Sequence, residues 1–255
     1  MQLDKVKAVI TGGVSGLGFS VARRLVGAGA QVALFDVNAD RAQAAQKELG
    51  SAAHFFRTEV TSEDHVAANL AAAQVAMGGL NAAISCAGIL GAGRVLGKDG
   101  PMPLQNFAGT VMVNLVGSFN VAKGAASLMQ HNAAGDDGER GVIINTASIA
   151  AYEGQIGQAA YAASKGGVIA MTLPMAREFA RIGVRVMTVA PGVFHTPMVD
   201  GMPEAVYQSL CAQVPYPSRL GAPDEFADAV AFILENRYMN GSVVRIDGAI
   251  RLPPK

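Results

Sequence analysis

The sequence predicts a doubly wound α/β fold: a parallel sheet of about seven strands flanked by helices on both faces. Three observations predict it. Short apolar runs alternate with longer helical stretches along all 255 residues. The runs are rich in Val, Ile and Ala and lack polar alternation, as expected of strands covered on both faces. A glycine-rich turn, "TGGVSGLG", separates the first run from the first helical stretch.

The strand candidates in chain order are Val6–Thr11, Gln31–Asp36, His54–Arg57, Asn81–Ser85, Val142–Thr146, Arg185–Ala190 and Val243–Ile246. Helix candidates between them include Leu17–Gly29, Ser62–Met77, Leu104–Met129 and Tyr161–Ile182. Ser62 followed by Glu63 and Asp64 reads as a helix start, with a capping hydroxyl and then acids near the positive end of the dipole. Two long stretches, Gly91–Pro103 and His131–Gly141, have no strong periodicity. They read as excursions of one domain spanning 1–255, not as boundaries between two. The closing "RLPPK" cannot extend a helix and is free to lie along a neighbour.

Composition narrows the function. The chain is 51% hydrophobic and 16% charged, enough to bury a large core. Lys+Arg and Asp+Glu both number 20, so no global charge draws it to nucleic acid or an anionic membrane. Two cysteines, Cys86 and Cys211, make no disulfide framework and suit a reducing, cytoplasmic setting. No signal peptide or apolar run of about 18 residues is legible. His54, His65, His131 and His195 are scattered and give no metal-ligand spacing, so no metal is expected.

The glycine turn follows strand one and opens helix one. Gly12, Gly16 and Gly18 give the spacing TGxxxGxG, which permits a tight turn and lets backbone N–H groups approach a pyrophosphate at the helix N-terminus. The second strand ends in Asp36, 20 residues past Gly16. A carboxylate there accepts hydrogen bonds from adenosine ribose hydroxyls and repels a 2′-phosphate. No Arg or Lys occupies positions 13–15 or 37–40 to receive such a phosphate. The expected cofactor is NAD, not NADP.

Tyr161 and Lys165 are four residues apart in "YAASK", so they share one helix face among small neighbours that leave room for a ligand. A tyrosine needs roughly 4 kcal/mol to bring its pKa from about 10 to near neutrality. A lysine charge about 5 Å away supplies roughly 3 kcal/mol at an effective dielectric of about 20. A cationic nicotinamide can supply the rest. Ser148 lies 13 residues before Tyr161, just past the fifth strand candidate, where a hydroxyl can hold a substrate oxygen. Asn114, inside the long third helix candidate, needs buried partners, and a water linking it to Lys165 would provide one. Taken singly, these residues also read as a packing tyrosine, a solvated lysine, a helix cap and a core amide.

In combination the motifs resemble the short-chain dehydrogenase/reductase family: TGxxxGxG, "CAG" at Cys86–Gly88, Asn114, Ser148, the Tyr161–Lys165 pair and "PG" at Pro191–Gly192, in the family's order. More narrowly, "RGVIINTASIAAYEGQIGQAAYAASKGG", "MTLPMAREFA", "VPYPSRLGAPDEFA" and "NGSVVRIDGAIR" resemble its type-2 3-hydroxyacyl-CoA dehydrogenase branch. The resemblance implies a Rossmann fold, a homotetramer, and NAD-linked oxidation of an acyl-CoA 3-hydroxyl in fatty-acid or isoleucine breakdown. It implies a cofactor-binding part at about 1–145 and a catalytic and substrate part at about 146–255. Tyr161 would be the base, with Lys165 lowering its pKa, Ser148 orienting the substrate oxygen and Asn114 supporting a proton relay. Cofactor contacts would come from Gly12, Ser15, Gly16, Leu17, Gly18, Asp36, Glu59, Val60, Cys86, Ala87, Gly88, Tyr161, Lys165, Pro191, Phe194 and Thr196. Substrate contacts would come from Ser148, Gln155, Gln158 and Tyr161.

The chain departs from the family pattern at Glu59, where Asp is usual, at Ser85 of "SCAG", where "NNAG" is commoner, and at His195, where a small residue is common. The longer Gly91–Pro103 loop could cover an acyl-CoA. A 3-oxoacyl reductase, a hydroxysteroid dehydrogenase and a dinucleotide-binding scaffold without turnover stand as alternatives. Asp36 weighs against NADPH-dependent reductases, and the intact Tyr161, Lys165 and Ser148 against a scaffold.

Overall fold

The computed structural model describes residues 1–197 and 203–254. Its frame is a seven-stranded parallel sheet. The strands are β1 (Lys7–Thr11), β2 (Gln31–Asp36), β3 (Ala53–Arg57), β4 (Ala82–Ser85), β7 (Gly141–Thr146), β8 (Val184–Pro191) and β9 (Val243–Ile246), in the order β3-β2-β1-β4-β7-β8-β9. Each expected strand is present within two residues of its expected ends. A small hairpin, β5 (Leu96–Gly97) with β6 (Gly100–Pro101), forms inside the first long excursion. A two-residue strand carries too little pattern to be read in advance.

Both faces of the sheet are covered, so neighbouring residues of one strand enter different cores. Ala8 and Ile10 of β1 pack in one cluster, Val9 in the other. The first cluster includes residues of α1 (Gly16–Gly27), α2 (Ala39–Leu49) and α8 (Pro223–Glu235). The second includes residues of α3 (Glu63–Ala76), α5 (Gly117–Met129) and α6 (Ala159–Phe179). Local chemistry sets the helix starts. The Ser62 hydroxyl accepts from His65 N at 3.3 Å to cap α3. Asn38 does the same for α2 through Arg41 N at 3.2 Å. At α8 the Glu225 carboxylate accepts from Ala222 N at 2.7 Å. No helix among the described residues is long and apolar enough to cross a membrane.

The stretch read as one helix over Leu104–Met129 is helical throughout but not uniform. A π turn, Met112–Val116, joins α4 (Leu104–Val111) to α5. Asn114 sits in that turn. An extra residue per turn rotates a side chain relative to an α-helix, and such turns often mark functional positions. The closing tail extends no helix. It lies on its own chain: Ile156 N donates to Pro254 O at 3.0 Å, and Gln155 Nε2 to Pro253 O at 3.2 Å. Lys255 lies outside the described residues.

The parallel register aligns Phe35, Thr11, Ser85, Asn145 and Thr188 in one row across the sheet. Ser85 and Asn145 are both buried, and neither the Ser85 hydroxyl nor the Asn145 amide has a protein hydrogen-bond partner among the described residues. This is where the sequence carries Ser in place of the commoner Asn. A Ser85→Asn variant should therefore gain a cross-strand amide pair with Asn145. The expected gain is about 1 kcal/mol, or about 2–4 °C in Tm for a chain of this size. A lower Tm by calorimetry would show that the space beside Asn145 is too small for an amide.

Candidate active site

The carboxyl ends of the aligned strands build the site. One residue beyond the Thr11–Ser85–Asn145 row, Asp36, Gly12, Cys86 and Thr146 reach the sheet's edge together, and all four line a cavity of about 620 Å³. It lies where β1 is flanked by β2 on one side and β4 on the other, the switch point at which open α/β sheets bind ligands. Thr11 ties the two halves together: its hydroxyl accepts from Cys86 N at 3.1 Å and Ala87 N at 3.0 Å.

At one end is the glycine turn. A Cβ on Gly18 would stand 2.4 Å from Gly12 O, so this glycine permits the turn to close on itself. Gly16 takes the left-handed φ of +54°, and an added Cβ would only touch Thr196 and Pro197 at 3.7 Å. Ser15, the residue before α1, makes no side-chain cap, so its hydroxyl leaves the first-turn N–H groups of the helix uncovered. That is a fit for a pyrophosphate. Asp36 accepts from Asn38 N at 3.0 Å, but Asn38 carries the cap of α2, and Asp36 keeps its carboxylate along the cavity wall. Glu59 also lines the cavity, with one carboxylate oxygen engaged by Thr61 N at 3.2 Å and Thr61 Oγ1 at 3.0 Å. Phe194 closes this end from the core side, edge-on to Phe226 at 6.3 Å. The donor set therefore fits a dinucleotide.

At the other end Tyr161 and Lys165 project from α6 and Ser148 follows β7. The Ser148 hydroxyl accepts from Ala150 N at 3.1 Å, which starts a short 3-10 turn and fixes the side chain. Lys165 is 4% exposed, donates to Thr146 O at 2.7 Å, and places Nζ 5.8 Å from the centre of the Tyr161 ring. Burial lowers the Lys165 ammonium to about 8. Burial also raises the Tyr161 phenol, while its hydrogen bond with Ser148 pulls the other way. Desolvation is thus the largest influence on the phenol, and it acts against the phenolate. Burial likewise pushes the Cys86 thiol up to about 11, so Cys86 is a protonated wall residue and not a nucleophile.

The cavity collects Gly12, Ser15, Gly16, Leu17, Gly18, Asp36, Glu59, Val60, Cys86, Ala87, Gly88, Ser148, Gln155, Gln158, Tyr161, Lys165, Pro191, Phe194 and Thr196. Asn114 stands behind the wall. Its Oδ1 accepts from Ile89 N at 2.8 Å, and its Nδ2 donates to Ile89 O at 2.9 Å and Ser164 Oγ at 3.0 Å. The buried amide thus finds protein partners for both its oxygen and its nitrogen. Gly88 passes between the two polar groups: a Cβ there would meet Asn114 Oδ1 at 3.1 Å and Lys165 Nζ at 3.5 Å. Gln155 and Gln158 also line a second cavity of about 630 Å³ together with Arg94, Val95 and Leu96 of the hairpin excursion.

Sequence reading missed Thr11, Thr146, Ser164 and Leu252. Thr11 and Ser164 act through their hydroxyls and Thr146 through its backbone carbonyl, and nothing in their spacing marks them. Leu252 lines the cavity from the tail.

Residues 6–206 match the short chain dehydrogenase family. The chain belongs to that family. It is 51% identical over 249 residues to a human 3-hydroxyacyl-CoA dehydrogenase type-2, covering 97% of this chain and 95% of that protein. A Drosophila melanogaster protein of the same description is 45% identical, covering 99% and 100%. The crystal structure of 3-hydroxyacyl-CoA dehydrogenase type-2 from Mycobacterium avium superposes with a TM-score of 0.94 at 44% identity, covering 97% and 96%. This short-chain dehydrogenase is accordingly an oxidoreductase with a Rossmann-like fold.

The buried Lys165 ammonium makes a stability prediction. Below about pH 8 it is charged in both folded and unfolded chains, and folding bears the full desolvation cost. Between about 8 and 10.5 the unfolded chain alone keeps the proton, so this cost shrinks as pH rises. The cost is on the order of 3 kcal/mol. Lys165→Met should raise Tm at neutral pH and lose turnover, and its Tm advantage over the wild type should narrow across that pH window. An advantage independent of pH would show that the ammonium is not desolvated.

Proposed function

We propose that this enzyme oxidises the 3-hydroxyl of 3-hydroxyacyl-CoA substrates, 2-methyl-3-hydroxybutyryl-CoA among them, to the 3-oxoacyl-CoA with NAD. The observation that carries the reading is the convergence of Tyr161, Ser148 and Lys165 on a cavity whose far end is edged by Asp36. The description shared by the similar proteins supports the substrate class.

Residues of about 1–145 would hold the cofactor and those of about 146–255 would carry catalysis and substrate, within one domain. The glycine turn would take the pyrophosphate, Asp36 the adenosine ribose, and Lys165 the nicotinamide ribose. When bound, NAD supplies a cationic ring that accepts hydride from C3. Ser148 holds the substrate oxygen, and Tyr161 removes its proton. Because burial opposes the phenolate, Tyr161 depends on positive charge brought into the cavity as well as on Lys165. Asn114 serves the relay by fixing Ile89 and the Gly88 passage beside Lys165.

A homotetramer is part of the reading. Leu104, Phe107 and Phe119 on α4 and α5, and Phe232 and Tyr238 on and just past α8, are exposed apolar surfaces suited to further copies of the chain. Light scattering should give four times the 26.2 kDa chain mass, and a monomer would refute this part. The reading extends to the cytoplasm, a reducing compartment in which Cys86 and Cys211 stay free, and to fatty-acid or isoleucine breakdown.

The deciding experiment follows nicotinamide absorbance with acetoacetyl-CoA, then 2-methylacetoacetyl-CoA, and either NADH or NADPH. Rapid oxidation of NADH with NADPH poor is expected, and turnover of the branched substrate would mark isoleucine breakdown. No turnover of either thioester, with activity on a steroid alcohol, would replace the acyl-CoA reading. Tyr161→Phe should cut kcat by about a hundredfold or more while NADH binding, read by fluorescence titration, stays near wild type. Retained turnover would remove Tyr161 as the base.

A further inference from the structure

After β9 the chain does not leave the molecule. It turns back through two consecutive left-handed residues, Gly248 at φ +57° and Ala249 at φ +65°. A non-glycine residue in that region is strained and persists where its surroundings hold it. Here Asp247 holds it, accepting from Ala249 N at 3.0 Å. Ile250 is then fully buried against Ile149 and Val214, and Val193 and Leu252 pack on the same cluster.

Charge fixes the same segment to the catalytic loop. Arg245 meets Glu153 through two hydrogen bonds, at 2.9 and 3.1 Å, and Asp247 at 2.7 Å. Arg251 reaches Asp247 at 2.9 Å. Glu153 belongs to the loop between Ser148 and Tyr161, the loop that also supplies Gln155 and Ile156 to Pro253 and Pro254. The guanidinium of Arg245 stands 4.9 Å from the Tyr152 ring centre. A bidentate, partly buried pair of this kind holds geometry better than an exposed ion pair does.

The result is a strap, residues 247–254, bolted to the catalytic loop at several points and presenting Leu252 to the active-site cavity. The Ser148 and Tyr161 hydroxyls fix the position of the reacting oxygen. The carbons beyond it, on the side away from the thioester, need an apolar wall. Ile149, Val193 and Leu252 are the apolar lining residues that share one packed cluster with the strap.

We infer that the strap is the gauge of acyl-chain length, and that Leu252 is a specificity-determining residue that ends the alkyl subsite. The inference rests on the acyl-CoA reading above. A rigid wall discriminates by the methylenes it excludes, whereas a loose one would yield to them. The ionic bolts to Glu153 therefore position Leu252.

The test compares kcat/KM for acetoacetyl-CoA and 3-oxododecanoyl-CoA with NADH in the wild type, Leu252→Ala and Leu252→Phe. The Ala variant should raise the long-to-short ratio by roughly tenfold and the Phe variant should lower it, with the KM for NADH unchanged in both. A ratio that moves by less than about twofold in both variants overturns the assignment and leaves the acyl-CoA reading standing. A changed KM for NADH with an unchanged ratio would place Leu252 in the cofactor half and also overturn it. A wild type inert to both thioesters overturns the acyl-CoA reading and the assignment together.

Discussion

Everything at the active site depends on the in-register parallel pairing of β2, β1, β4 and β7. Because the strands run the same way and are aligned at Thr11, Ser85 and Asn145, the residues that follow emerge side by side on one edge. Four unrelated roles, two of side chain and two of backbone, then share a single cavity. A carboxylate stands at Asp36, a backbone turn at Gly12, a wall at Cys86, and at Thr146 a carbonyl that receives a lysine. A one-residue slip in any pair would turn these residues to the opposite face of the sheet. The Thr11 hydroxyl guards against a slip between β1 and β4 by binding two successive N–H groups just past the end of β4.

Within that frame the most expensive component is the Lys165 ammonium. It is enclosed, its pKa is lowered, and it has one short bond to Thr146 O. A core residue there would make a more stable protein. The surroundings are arranged to keep it nonetheless: Gly88 leaves the passage, and the Asn114 amide fixes Ile89 beside that passage and donates to Ser164 of α6. The π turn in the preceding helix is part of the same arrangement, since it carries Asn114. A desolvated ammonium and an irregular helical turn sit together here because chemistry, not stability, is served by them.

That clustering also explains what could be read from the sequence. The strands were legible because burial on both faces leaves unbroken apolar runs, and the glycine turn because backbone approach tolerates few residue types. Tyr161 and Lys165 were legible because helical spacing is arithmetic. The π turn was not, since an extra residue in one turn leaves no periodic trace. The pairing of Asn114 with Ile89 was not, because Ile89 contributes its backbone there and any residue type could do so. The burial of Tyr161 was not legible for a related reason: spacing gives proximity to Lys165 but not the depth at which the phenol sits.

The two ends of the cavity are built from different material, and that difference bears on how such an enzyme can change. In the proposed reading the cofactor end is shaped by the glycine turn, where added Cβ atoms at Gly12 and Gly18 would strike main-chain atoms, with Asp36 and Glu59 beside it. It tolerates little substitution. The substrate end is lined by side chains from elements that meet late in the chain: the Ser148–Gln158 loop, the segment around Val193, and the strap. Ionic bonds from Arg245 of β9 to Glu153 and Asp247 tie the loop to the strap, and Val193 joins them through the apolar cluster of Ile149, Val214 and Ile250. Side-chain walls can be enlarged or reduced one residue at a time while the sheet register, the glycine turn and the Tyr161–Lys165 spacing stay fixed. The chemistry is thus constrained by the backbone and the substrate by a few replaceable side chains.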